Sequence, residues 1–307
     1  MVGDFEQKRV ALSTGVELDV VDMGPRDAPA LVFLHGFPES HRTWRHQLPH
    51  FADRFRCIAP DQRGYRGSSK PQGADSYTPD KLIADVFALA DALGVERFTV
   101  VGHDWGGAIA WGVALGGQPG GLHPQWAGRV TRAVIANAPH PAIFQRLLLT
   151  NPEQRAASQY IRTFRDPASD ALIEEQGIAG LLAHAFAGRV PSGGIQPPEE
   201  IARLIVDWED RDACRAMINW YRGSPAEVPP MDAPYGEPPA TPFPKLTIPT
   251  LVIWALDDVA LPACNLDGLD ELVPDATIVE VPGCGHFVPW EAPDRVNAAM
   301  DAFLAAG

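Results

Sequence analysis

Residues 98–111, Phe-Thr-Val-Val-Gly-His-Asp-Trp-Gly-Gly-Ala-Ile-Ala-Trp, contain the side chain best placed to do chemistry, Asp104. A β-branched run feeds Gly102-x-Asp104-x-Gly106 and then an apolar segment suited to a helix. This is the strand, sharp turn and helix that present a nucleophile at an elbow, with Asp where Ser usually stands. The glycines fit a turn that brings strand and helix backbones together and leaves no room for a Cβ. A seryl hydroxyl makes an ester from a substrate's acyl carbon, whereas a carboxylate can attack an sp3 carbon and become the acyl half of the ester itself. Taken alone, the motif does not separate this reading from a Gly-rich turn with a capping Asp.

Three further loops follow strand-like runs. His35-Gly36-Phe37-Pro38-Glu39-Ser40 follows residues 30–34, Asp257-Asp258 follows residues 248–255, and Pro282-Gly283-Cys284-Gly285-His286 follows the run ending at Val281. Nucleophile, acid and histidine in that chain order match an α/β-hydrolase. A Gly-flanked position after the last strand distinguishes His286 from the other histidines. His46 and His50 are four residues apart, but Pro49 interrupts them and no Glu completes a metalloprotease pattern, so they read as surface or structural residues. Cys57, Cys214, Cys264 and Cys284 show no Cys-x-x-Cys pair, so neither a zinc site nor a disulfide framework is indicated; Cys284 reads as a small buried residue.

The elements that must position these loops alternate. Strands are expected over 8–12 and 16–21 as an opening hairpin, then over 30–34, 55–59, 97–101, 130–136, 248–255 and 276–281, with a helix over 79–93, which suggests a mostly parallel sheet. Between 141 and 244 the pattern changes. Helical segments over 154–163, 169–186, 198–208 and 212–221 follow one another without strands, and a proline-dense piece, 224–244, leads back to the sheet. A helical insertion after a strand's carboxyl end, where α/β proteins place their sites, reads as a lid. The expected division is therefore a core of 1–140 and 245–307 with a cap of 141–244.

The chain has 307 residues, 46% hydrophobic and 21% charged, enough for one large domain with a sizeable insertion. A formal charge of −14 argues against nucleic acid or an anionic membrane as partner. The amino terminus has no apolar h-region and no segment reaches membrane-spanning length, so a cytoplasmic location is expected. No cofactor or metal is expected, and formation of a homodimer is left open.

His35-Gly-Phe-Pro-Glu-Ser40, Asp61-Gln-Arg-Gly-Tyr-Arg-Gly-Ser-Ser69, Gly102-His-Asp-Trp-Gly-Gly107 and Gly283-Cys-Gly-His286 together resemble the epoxide hydrolase and haloalkane dehalogenase branch of the α/β-hydrolases, over nearly the whole chain. The resemblance implies an α/β fold with a mostly parallel eight-stranded sheet flanked by helices and an inserted helical cap. It places the acid of the triad at Asp258 rather than Asp257. It implies an oxyanion hole from the backbone N–H groups of Phe37 and Trp105, and a Phe37-Pro38 bond that is often cis. Asn219-Trp-Tyr-Arg222 is similar to the segment carrying one of two lid tyrosines, which is Tyr221 here, and Tyr160 falls where the other is expected. Phe37, Trp105, Tyr160 and Tyr221 would border the substrate. The Asp61–Gly67 loop resembles a structural family loop and carries no assigned chemistry.

The expected reaction converts an epoxide and water to a vicinal diol. Asp104 attacks an epoxide carbon while Tyr160 and Tyr221 donate to the departing oxygen. His286, oriented by Asp258, then activates water against the ester. A haloalkane or haloacid dehalogenase would use the same Asp104, His286 and acid, with the Trp105 indole as halide donor. No second donor near Phe37 and no Arg after Asp104 supports that alternative. A non-catalytic homologue that binds a small molecule is the third reading, against which the intact Asp104, His286 and acid argue.

Overall fold

In the computed structural model, which describes residues 4–186, 196–236 and 243–306, the β-branched runs form strands. In chain order these are β1 (Gln7–Ala11), β2 (Glu17–Met23), β3 (Ala30–Leu34), β4 (Arg56–Pro60), β5 (Phe98–His103), β6 (Val130–Ala136), β7 (Thr250–Ala255) and β8 (Ala276–Val281). They make one eight-stranded sheet in the order β1-β2-β4-β3-β5-β6-β7-β8. β2 runs antiparallel to both β1 and β4, and the remaining pairs are parallel. Every residue of β3, β4, β5 and β7 is buried, as parallel strands covered on both faces require.

The pleat sorts the core into two layers. Val32 and Leu34 pack with Val86, Ile109 and Trp111, whereas Leu31 and Phe33 belong with Leu48, Phe51, Val296 and Met300. Helices α1 (Gln47–Phe51), α2 (Pro79–Ala92) and α3 (Trp105–Gly117) precede β6. Among the described residues, six helices then follow before β7: α4 (Pro141–Thr150), α5 (Pro152–Ala157), α6 (Gln159–Arg165), α7 (Ala168–Ala185), α8 (Pro198–Asp207) and α9 (Arg211–Arg222). α10 (Leu269–Leu272), α11 (Val288–Glu291) and α12 (Pro293–Ala305) complete the chain. α2 and α3 lie over one face of the sheet, α1 and α12 over the other. No helix among the described residues is long and apolar enough to cross a membrane.

The helical insertion differs from the sequence expectation in detail. α4 has no counterpart in that expectation; Pro141 opens it and the His140 ring accepts from Ala142 N–H at 3.3 Å. The expected helix over 154–163 is two helices. Ser158 leaves helical geometry (φ −94°, ψ 2°), and its hydroxyl accepts from Gln154 Nε2 at 2.8 Å. α7 bends at Gly177, which has a φ of 71°. Residues 187–195 and 237–242 of the expected cap lie outside the described residues.

Side chains of α8, of Trp208 directly after it and of α9 grip loops at the carboxyl ends of the strands. The Trp208 indole donates to Pro38 O at 2.9 Å and the Trp220 indole to Arg63 O at 3.0 Å. Arg42 Nε donates to Glu200 Oε2 at 2.7 Å, and Arg66 pairs with Asp207 at 2.6 Å. The insertion is thereby seated over the strand ends from which Phe37, Asp104, Asp258 and His286 emerge.

Candidate active site

The elbow holds Asp104 between β5 and α3 at φ 51° and ψ −123°, an unfavourable conformation for a residue with a side chain. Its glycines answer to close contact. A Cβ on Gly102 would lie 2.4 Å from Gly106 O, and one on Gly106 would lie 2.2 Å from Leu34 O. The turn directs the carboxylate toward the loop after β3, where Oδ1 accepts the Phe37 N–H at 2.6 Å. The Phe37–Pro38 peptide is cis. The other expected oxyanion donor, the Trp105 N–H, makes no hydrogen bond to the Asp104 carboxylate among the described residues.

On the other side of Asp104, His286 Nε2 lies 3.4 Å from Oδ2. His286 Nδ1 lies 2.7 Å from Asp258 Oδ2, and because a carboxylate only accepts, Nδ1 carries a proton. Asp258 is fixed in turn. Its Oδ1 accepts from Ala260 N–H at 2.8 Å and Leu261 N–H at 3.0 Å, and Oδ2 accepts from Asn137 Nδ2 at 2.8 Å. The neighbouring Asp257 is exposed and does not reach His286.

Tyr160 and Tyr221, 61 positions apart in the chain, converge. Their ring centroids are 6.0 Å apart, and the Tyr221 ring stands edge-on to Phe37 at 5.2 Å and to Trp105 at 5.1 Å. Both rings border a cavity of about 460 Å³ that Asp104 also lines. Arg165 at the end of α6 joins the helices that carry them, donating to Tyr221 O at 2.8 Å, Ala226 O at 2.7 Å and Ser224 O at 3.1 Å.

The electrostatics follow from burial among charges. Burial by itself would raise the Asp104 carboxyl and lower His286, but their mutual attraction outweighs it. Asp104 is held below the ordinary carboxylate range by His286, with help from His103 and the Phe37 N–H. His286 is raised well above an ordinary histidine by Asp258 and Asp104. Both phenols are raised. Burial is the largest cause for each, followed for Tyr160 by Asp104 and for Tyr221 by Tyr160 and then Asp104.

Several supports of this site escape a reading of the sequence. Asn137 carries no charge and so is no candidate acid, yet it holds Asp258 with Nδ2 and accepts the Ala255 N–H with Oδ1 at 2.8 Å. Its φ of 38° is one that Asn tolerates, and a polar residue directly after a buried strand is the available signal. His103 is fully buried with Nε2 2.8 Å from His286 O; the carbonyl only accepts, so Nε2 is protonated. Glu291 accepts from Gly285 N–H at 2.9 Å and Phe287 N–H at 3.1 Å, bracketing His286. Cys284 is buried, which pushes its thiol up to about 12. Of the motif around Asp61, the carboxylate is buried against His41 Nδ1 at 2.8 Å and Gln7 Nε2 at 2.8 Å, away from the cavity that Asp104 lines. Among the described residues no group of three or more His, Cys, Asp or Glu side chains is placed to hold a metal ion.

Comparison with known proteins agrees with this architecture. Residues 29–293 match the family defined by the α/β-hydrolase fold. An AB hydrolase superfamily protein, YfhM of Bacillus subtilis, is 31% identical over 297 residues, covering 95% of this chain and 96% of that protein. Among solved structures, one described among novel epoxide hydrolases of the α/β-hydrolase superfamily in metagenomes from hot environments is 65% identical, covers 99% of this chain and 100% of that one, and superposes with a TM-score of 0.93. A mutant of an epoxide hydrolase from Bacillus megaterium, complexed with its diol product, is 29% identical with a TM-score of 0.80 over 97% of this chain and 100% of that one. The chain belongs to the α/β-hydrolase family, in the group that these epoxide hydrolases represent.

Proposed function

We propose that the protein is an epoxide hydrolase that works through an alkyl ester on Asp104, with residues 141–244 as a cap over a core of 1–140 and 245–307. The observation that carries this reading is the convergence of two phenols, Tyr160 and Tyr221, on the cavity that Asp104 lines. The names of the relatives described above support it.

In the first step an Asp104 oxygen attacks an epoxide carbon, the ring C–O bond breaks, and the departing oxygen takes a proton from a lid phenol. The raised phenols remain protonated at neutral pH and are available as donors. Esterification removes the charge of Asp104, and with it one of the two carboxylates that keep His286 protonated. The imidazolium can then yield its proton to restore the phenol, so that the imidazole becomes a base only once there is an ester to hydrolyse. In the second step His286 takes a proton from water as the water oxygen attacks Cγ of the ester. The Phe37 N–H, already 2.6 Å from Oδ1, stands where charge builds on that oxygen. Trp105 N–H would complete the oxyanion hole. Collapse breaks the bond from Cγ to the alkyl oxygen, that oxygen takes up the remaining proton of the attacking water as the Asp104 carboxylate is restored with His286 protonated, and the diol leaves, so that one water is consumed per epoxide.

Incubation with styrene oxide and with 1-bromobutane, assaying diol and bromide separately, tests the assignment. Diol from the epoxide is expected. Bromide release without diol would overturn the reading in favour of a dehalogenase.

A further inference from the structure

One face of α3 forms a continuous wall of the Asp104 cavity. Trp105, Ala108, Ile109, Gly112 and Leu115 all line it, a spacing of three and four residues that forms a single stripe along the helix. From Trp105 to Leu115 the helix rises about 15 Å at 1.5 Å per residue. The cavity therefore extends three turns from the elbow instead of closing around the reacting carbons. Ala108 and Gly112, one turn apart, put no bulky side chain of α3 in the middle of the stripe, and Ile83 packs against Gly112, where a Cβ would lie 2.4 Å from Ile83 Cδ1. The far end carries Leu122, an apolar side chain left 56% exposed at the rim.

The lining is as informative in what it contains. Among the described residues, Asp104 is the only lining side chain of the Asp, Glu, Lys and Arg types. Gln145, the amide in the wall, is occupied by the backbone of Glu227, accepting its N–H at 2.9 Å and donating to its O at 3.2 Å. His123 stands beside Leu122 at the mouth, but between it and Asp104 a charged group on the substrate would find no counter-ion along the stripe, and burying it unpaired is costly. Apolar surface gains from leaving water for the same walls.

Resting on the epoxide hydrolase reading above, we infer that the protein's preferred substrates are epoxides bearing one extended, uncharged apolar substituent, which lies along the Ala108–Gly112–Leu115 face of α3 with its end at Leu122. An alkyl zigzag of 1.52 Å bonds at about 111° advances ~1.25 Å per carbon, so ~15 Å accommodates about a dozen carbons. Leu115, with Ile83 packed over Gly112, sets the bore of the channel, and Leu122 sets its mouth.

The test is kcat/KM for diol formation across 1,2-epoxyalkanes from four to fourteen carbons. Each methylene that enters the channel is expected to raise kcat/KM by about threefold to fourfold, with a plateau near a dozen carbons. A flat series with diol still formed overturns the substrate assignment and leaves the epoxide hydrolase reading standing; no diol from any member removes both. Leu115→Trp and Leu122→Glu should each lower the ratio of kcat/KM for 1,2-epoxytetradecane to that for 1,2-epoxybutane by tenfold or more. Leu122 is exposed, so its variant answers even if the buried Leu115 substitution fails to fold, and an unchanged ratio contradicts the channel. In a third arm, 5,6-epoxyhexanoate, whose carboxylate would sit within the stripe, should be at least tenfold poorer than 1,2-epoxyhexane. Equal rates would overturn the uncharged requirement.

Discussion

Replacing Asp104 by Asn tests the claim that the nucleophile's own charge governs when His286 becomes a base. The substitution keeps the size of the side chain and removes its charge, as esterification does. His286 Nε2 stands 3.4 Å from Asp104 Oδ2, and both side chains are largely buried. At that separation the attraction between unit charges is about 5 kcal/mol at an effective dielectric of 20 and about 1 kcal/mol in bulk water. Loss of an interaction in this range must weaken proton binding by the imidazole. NMR titration of the His286 ring should therefore show a lower midpoint in Asp104→Asn than in the parent protein. Asp258→Asn should also lower it, since Asp258 is the other carboxylate that raises it. A midpoint unmoved or raised in Asp104→Asn would refute the charge-release step.

Tyr160→Phe and Tyr221→Phe should each reduce kcat on an epoxide, and the double variant should reduce it by about 10²- to 10⁴-fold, as expected when general-acid donors are lost; unchanged turnover of styrene oxide by the double variant would remove the phenols from the mechanism. Asn137→Gly keeps the φ of 38° accessible while deleting the bond to Asp258. That bond to a charged group is worth about 1.5–3 kcal/mol, so hydrolysis of the ester should slow by roughly tenfold to 150-fold while stopped-flow alkylation stays near the parent rate; equal slowing of both steps would point to a general structural fault. Stability should fall on acidification between about pH 6.5 and 5, above the range where ordinary carboxylates titrate. Burial lowers His35, His103 and His140 to about 4, so the unfolded chain binds protons there that the folded protein refuses. His286 has the opposite sign: its contribution is complete below the unfolded value and is lost as pH rises through its raised folded value. Urea denaturation at pH 5 and 6.5 gives the comparison, and equal or greater stability at pH 5 would contradict it.

The parts legible in the sequence are those whose requirements are local. A buried parallel strand needs a continuous apolar run, and β3, β5 and β7 lie where such runs do. The elbow needs glycine where a Cβ would come within 2.2–2.4 Å of a backbone oxygen, which fixes Gly102 and Gly106 on either side of Asp104. The placement of Tyr160 beside Tyr221 depends on how α6 meets α9, and that is settled by Arg165 reaching three carbonyls of the chain after Trp220. No periodicity encodes such a contact. The break at Ser158 is similar, since the residues around it would suit one continuous helix, whereas Ser158 takes φ −94° and ψ 2°. Asn137 is hidden for a different reason. Its role is to orient a carboxylate 121 residues away, and residue type alone assigns it only the absence of charge.

The proposed covalent step can be tested directly. His286→Gln should still be alkylated by an epoxide and should fail to hydrolyse the product. Mass spectrometry of this variant after exposure to styrene oxide should show the protein heavier by one intact epoxide, with the addition on the peptide containing Asp104 and absent from Asp104→Asn. An unmodified Asp104 peptide in a folded variant that binds the epoxide would contradict the alkyl ester and leave direct attack by water as the chemistry to explain.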